Sequence, residues 1–182
     1  SGTQEITGIT TISASGQDVT LNTSTNNFAD EVRITGAAVT VVDEDAIVLG
    51  ASTVSGTYSV TAGGAITDEG TQEITGVTTL VAGSGNDITL NTSTNNFAAA
   101  VVITSGNNVA ITDEDAIILG AATVSGTYGI TAGGAITDTG TQEIAGVTTL
   151  AAGSSNDITL DTSTNNFAAA VGITSGRNVA IT

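Results

Sequence analysis

Apolar and polar side chains alternate along Asp87-Ile88-Thr89-Leu90-Asn91, so Ile88 and Leu90 share one face while Asp87, Thr89 and Asn91 share the other. A period of two predicts a half-buried β-strand. Words of this type recur along the chain, as in TLVAG, VITSG and GITAG, each placing an aliphatic residue shortly before a Gly-containing corner. That residue gives a first series of register marks: Ile12, Ile34, Val60, Leu80, Ile103, Ile130, Leu150 and Ile173. A second series follows the corner, at Leu21, Val41, Ile66, Leu90, Ile111, Ile136, Leu160 and Ile181. The third is Ile6, Phe28, Leu49, Ile74, Phe97, Leu119, Ile144 and Phe167. Three apolar ladders, one to each side of a coil, predict a three-sided β-solenoid, because a single coil cannot bury its apolar face alone.

The words belong to a longer repeat, which must be read before any fold is assigned. GTQEITG opens at Gly2 and Gly70 and returns as GTQEIAG at Gly140, which closes a 70-residue unit. TSTNNF ends at Phe28, Phe97 and Phe167. Within one unit the first-ladder marks fall at Leu80, Ile103, Ile130 and Leu150, giving 23-, 27- and 20-residue intervals. The expectation is an all-β parallel β-helix of about 20–27 residues per coil, with three coils per 70-residue repeat and an advance of about 14 Å per repeat. Residues 1–182 form one continuous segment, divided into copies 2–69, 70–139 and a partial 140–182. The first copy lacks one residue at each of the corners that read GSGND and SGNN in the second. Corners tolerate such changes, whereas one inside a strand would exchange its two faces. Phe97-Ala98-Ala99-Ala100-Val101-Val102 is the run best able to open a helix, but β-branched residues and Gly crowd every window. The pattern starts and stops partway, without an initiator Met or a polar cap, as expected of a length taken from something longer.

Composition narrows the chemistry. The 182 residues include no Pro, Cys, Met, Trp, His or Lys, so the usual general bases, thiolates and Schiff-base amines are missing. No disulfide supports the fold, and no segment approaches the length of apolar chain that spans a membrane. The net charge is −16, from 18 acidic residues against Arg33 and Arg177, which argues against nucleic acid and anionic lipid as partners. Disorder is the other reading of such charge, but 40% hydrophobic residues exceed what it allows.

The densest acid is Asp43-Glu44-Asp45, repeated at Asp113-Glu114-Asp115. The predicted register stacks Asp43 near Asp68 and Asp113 near Asp138, which makes these four the candidate Ca²⁺ ligands. The bland reading, a solvated acidic corner that keeps a fibre soluble, is preferred. AGSGNDITL matches the Ca²⁺-binding nonapeptide GGxGxDxUx poorly and reads as a turn followed by a strand. The pairs Asn26-Asn27, Asn95-Asn96 and Asn165-Asn166 read as corner residues that tolerate left-handed backbone and bond locally. NTST, at Asn22 and Asn91, fits the N-glycosylation acceptor pattern and is expected to be unused. Outward Thr such as Thr78-Thr79 and Thr89 raise ice binding, which needs a more regular Thr array than the coils provide. A carboxylate acid/base pair lacks the cleft, aromatic platforms and basic residues that a solenoid hydrolase would use, so no catalytic residue is assigned.

The run GTYGITAGGAITDTGTQEIAGVTTLAAGSSNDITL resembles the repeats of filamentous-haemagglutinin-type bacterial exoproteins over essentially the whole chain. The resemblance rests on structural words, AGGAIT and TTLAAGS.NDITL. It implies a right-handed parallel β-helix forming the shaft of a secreted or surface-tethered adhesin. The expected function is therefore a stiff extracellular spacer, without cofactor, contacting further repeats along the fibre axis or other filaments. A shaft face or corner that recognises carbohydrate or a host receptor is the alternative, and end-to-end assembly of short protomers a third.

Overall fold

The computed structural model describes residues 2–182, and every regular element in it is a β-strand. The strands pair only in parallel, in sheets of two, twelve and eleven. Three short strands make most coils: Ile66–Asp68, Gln72–Ile74 and Thr78–Val81 form one, and Ile88–Leu90, Asn96–Phe97 and Val101–Gly106 the next. The chain is thus a three-sided β-solenoid of about nine turns. Two neighbouring sides can merge where the chain bends at a glycine, as Ile117–Val124 passes through Gly120 without a break.

Alternation sends every second residue inward. Ile34, Val60, Leu80, Ile103, Ile130 and Leu150 are buried, as are Phe28, Leu49, Ile74, Phe97, Leu119 and Ile144. Ile12 and Phe167 are partly buried against this core, and Ile173 is 38% exposed. Tyr58 and Tyr128 are wholly enclosed, and burial pushes the Tyr58 hydroxyl up to about 12.

The stacking differs from the expected one. In the eleven-stranded sheet Val41, Val60, Leu80 and Ile103 form one column. Their counterparts one repeat later, Ile111, Ile130, Leu150 and Ile173, form the same column in the twelve-stranded sheet. Ile34 therefore does not support Val60, nor Ile103 Ile130; the 26- and 27-residue intervals between them cross from one wall to another. Outside the bulges, true partners range from the 17-residue interval of Val32 and Leu49 to the 23-residue interval of Leu150 and Ile173. A 70-residue repeat consequently spans about three and a half coils of about 20 residues, not three, and advances about 17 Å at strand spacing. Equivalent strands of successive repeats therefore fall in different sheets of the solenoid. The third series splits for the same reason: Ile74 stacks on Val54 and under Phe97, whereas Leu49 sits on Val32 and Leu119 on Val101.

Candidate functional site

The polar words converge inside the solenoid. In Gln72–Ile74 the parity of the strand turns Gln72 inward with Ile74, and Gln72 is fully buried. A buried amide must keep its hydrogen bonds or cost stability. Its Nε2 donates to the carbonyls of Gly50 and Gly70, both at 2.8 Å. Its backbone N–H donates to Asn95 Oδ1 of the next coil at 2.8 Å. Asn95 Nδ2 donates to Asp68 Oδ2 at 2.6 Å, and the Asn95 carbonyl accepts from the N–H of Glu114 one coil further on. Asp113 completes the column, accepting from the backbone N–H of Phe97 at 3.0 Å and of Asp115 at 2.9 Å. Gln142 donates likewise to Gly120 and Gly140, and Asn165 to Asp138.

The four candidate Ca²⁺ ligands are placed differently from the expected stack. Asp43 lies beside Ala62 of the next coil, and Asp68 beside Leu49 of the preceding one. Asp43 and Asp113 cap backbone N–H groups of their own and the previous coil; Asp68 and Asp138 cap the coil that follows. Among the described residues no group of three or more His, Cys, Asp or Glu is arranged to hold a metal ion. The Asn pairs bond locally at their corner as expected, Asn26 to the Leu21 carbonyl and Asn165 to that of Leu160, but not through left-handed backbone. No described non-glycine residue has a positive φ, and Asn26, Asn95 and Asn165 bond between coils. Among the described residues positive φ is confined to Gly16, Gly83 and Gly153, one for each copy of the same corner.

Burial holds the carboxyls of Asp43 and Asp113 above the usual carboxylate range, despite two backbone N–H donors each. The backbone N–H of Asn108 and nearby carboxamides lower Asp87, and the Arg177 guanidinium takes Asp157 down to about 2. A raised carboxyl binds its proton more readily folded than unfolded, so its contribution to stability is lost as pH rises from its unfolded value through its folded one. A lowered carboxyl contributes above its unfolded value and loses that contribution as pH falls towards its folded one. Stability is therefore expected to rise as pH falls through the raised values of Asp43 and Asp113 towards the ordinary carboxylate value of about 3.8, and to decline below it as Asp87 and Asp157 take up protons. Urea midpoints across pH 2–8 measure this, and Asp113→Asn should flatten the rise; a profile that climbs steadily to pH 7 would contradict it.

Outside, ionised groups gather at corners. Both arginines are engaged, Arg33 with Glu31 at 2.6 Å and Arg177 with Asp157 at 2.9 Å. The sheet walls carry uncharged columns, Thr40–Ser59–Thr79–Val102 on one face and Ala110–Gly129–Thr149–Gly172 a repeat later. Hydroxyls are thus not kept in register from repeat to repeat. A shallow groove of about 280 Å³ runs beside Glu143 and Asn166, walled by Ser84 and Ser125 over an apolar floor of Val124 and Ile144. The counterpart of its Glu143 end, at Glu5 and Asn27, lines a second groove. Asn166 Nδ2 donates to Glu143 at 3.1 Å, and Ser125 Oγ reaches back two coils to the Ser84 carbonyl at 2.7 Å. The groove offers hydroxyls, a carboxamide and one carboxylate.

Three successive stretches, residues 1–35, 36–104 and 106–174, match a family described as repeats of unknown function (DUF5649). The chain belongs to that family. The matches are phased from Gly36 and Gly106, half-way through the GTQEI-to-GTQEI unit, and preserve its 70-residue spacing. Neither curated proteins nor solved structures gave a significant match.

Gln72 and Gln142 are the site residues that pattern reading passed over. Their signal was present: in QEI the Gln shares strand parity with an Ile in every copy, buried at Ile74 and Ile144 and partly buried at Ile6.

Proposed function

We propose that this chain is a length of shaft from a secreted or surface-anchored bacterial filament of the filamentous-haemagglutinin type, acting as a stiff spacer outside the cell. The observation that supports this reading most is the unbroken stacking of one coil on the next through every repeat, with no coil departing to build a separate site. Stiffness follows from parallel backbone pairing along the axis and from side chains interlocked with both neighbouring coils. The corner carboxylates keep such rods apart in solution. The role needs no catalytic step and no cofactor.

Concatenated chains of two, four and eight repeats, viewed by negative-stain microscopy, are expected to be straight rods lengthening by about 17 Å per repeat. Particles whose length does not follow repeat number would overturn the reading. A second reading, a shaft that also binds ligand along its edge, is favoured by the recurrence of the groove beside Glu143 and Glu5. Retention on an immobilised polysaccharide that Glu143→Gln abolishes would support it.

A further inference from the structure

The TSTN turn gives each coil that contains it an outward corner. A backbone bond from Asn26 to the Thr23 carbonyl closes it in the first copy, at 3.1 Å, and one from Asn95 to Thr92 in the second, also at 3.1 Å. The residue just before the turn is Asn22, Asn91 or Asp161, and all three are exposed, as are Ser24, Ser93 and Ser163 two positions on. Asn22-Thr23-Ser24 and Asn91-Thr92-Ser93 have the acceptor pattern for transfer of a sugar to asparagine, and Asp161-Thr162-Ser163 lacks the carboxamide. Neighbouring asparagines in the same words are committed: Asn26, Asn27, Asn95, Asn165 and Asn166 all donate through their carboxamides. The carboxamides of Asn22 and Asn91 have no hydrogen-bond partner among the described residues. At Asn91 the backbone is fixed beneath the free side chain, with Asp68 accepting from the N–H groups of Asn91 at 2.9 Å and Thr92 at 3.2 Å.

From this placement we propose that Asn22 and Asn91 are sugar-attachment sites, modified by transfer from a glycosyl donor activated at C1 as a diphosphate. Asn Nδ2 forms a bond to sugar C1 as the C1–O bond to the diphosphate breaks. The diphosphate leaves with the bonding electrons, and the amide proton passes to a base of the transferase. Because Asn22 follows a strand of the eleven-stranded sheet and Asn91 its counterpart in the twelve-stranded one, sugars would decorate more than one side of the rod.

The test uses the folded 182-residue chain in two arms, one with an oligosaccharyltransferase and lipid-linked donor, the other with an asparagine glucosyltransferase and UDP-glucose. A synthetic NTST peptide in each tube reports that the enzyme is active. The expected result, in at least one arm, is two sugar additions by intact mass, mapped to Asn22 and Asn91. Asn91→Gln should leave one addition and Asp161→Asn should create a third. The arm that succeeds identifies the donor. Modification of the peptide but not of the folded chain in both arms, addition elsewhere, or an inert Asp161→Asn would overturn the proposal.

Discussion

Phe97→Ala is expected to lower the stability of the coils around it by about 3–5 kcal/mol, as for other fully buried aromatics. Phe97 is 1% exposed and stacks on Ile74 of the coil below. Its backbone N–H is tied to Asp113 in the coil above, so the ring cannot be replaced by inward collapse without disturbing that bond. Phe28 occupies the equivalent place at 2% exposure and should behave alike, whereas Phe167 is only partly buried and should cost less. Solenoids need not unfold in one step, so a single midpoint can hide a local loss. Hydrogen exchange followed by mass spectrometry gives the direct readout, with protection lost first in the strands Gln72–Ile74, Asn96–Phe97 and Val109–Asp113. Unchanged protection there would show that the ring does not hold the coils together.

Gly133→Ala is expected to have the next largest effect. A Cβ at Gly133 would lie 2.0 Å from the carbonyl oxygen of Glu114, a backbone atom that no rotamer change can move aside. The same glycine donates its N–H to the Asp113 carbonyl at 3.0 Å, and Gly134 donates to Asp115 at 2.7 Å. Relieving the clash means separating two coils and stretching both bonds, at about 1–3 kcal/mol or more. Gly63→Ala repeats the experiment one repeat earlier, against Glu44. Gly85→Ala is the control, since a Cβ there meets nothing within 4 Å, and should change stability by less than about 0.5 kcal/mol. Comparable denaturation midpoints for Gly133→Ala and Gly85→Ala would refute the close approach as the reason for the AGGAIT word.

Both residues belong to words that were visible as repeats, yet the reason for each word became visible only through its neighbours. Alternation in DITLN identified Ile88 and Leu90 as inward, and both are buried. Parity would equally have turned Gln72 inward beside Ile74, but polar character set it aside from the core. Its partners, Gly50 and Asn95, lie 22 and 23 residues away along the chain. The stacking expected of the candidate acids failed in a related way. Asp43 and Asp68 share a corner type, but a wrong count of coils set them one above the other, whereas each caps backbone N–H groups.

The sequence by itself determined that this chain is a parallel solenoid of short strands, which face of each strand is apolar, and that its unit is a 70-residue repeat. Those properties are local, or repeat along the chain, and survive any choice of stacking. A 70-residue period is compatible with three long coils or with three and a half shorter ones, because ladder marks recur in either case. Only the tertiary structure decided between them. How soon the chain returns over itself is set by corner geometry and by bonds such as Gln72 to Asn95, whose partners belong to different coils. That half coil is what places equivalent strands of successive repeats in different walls of the rod.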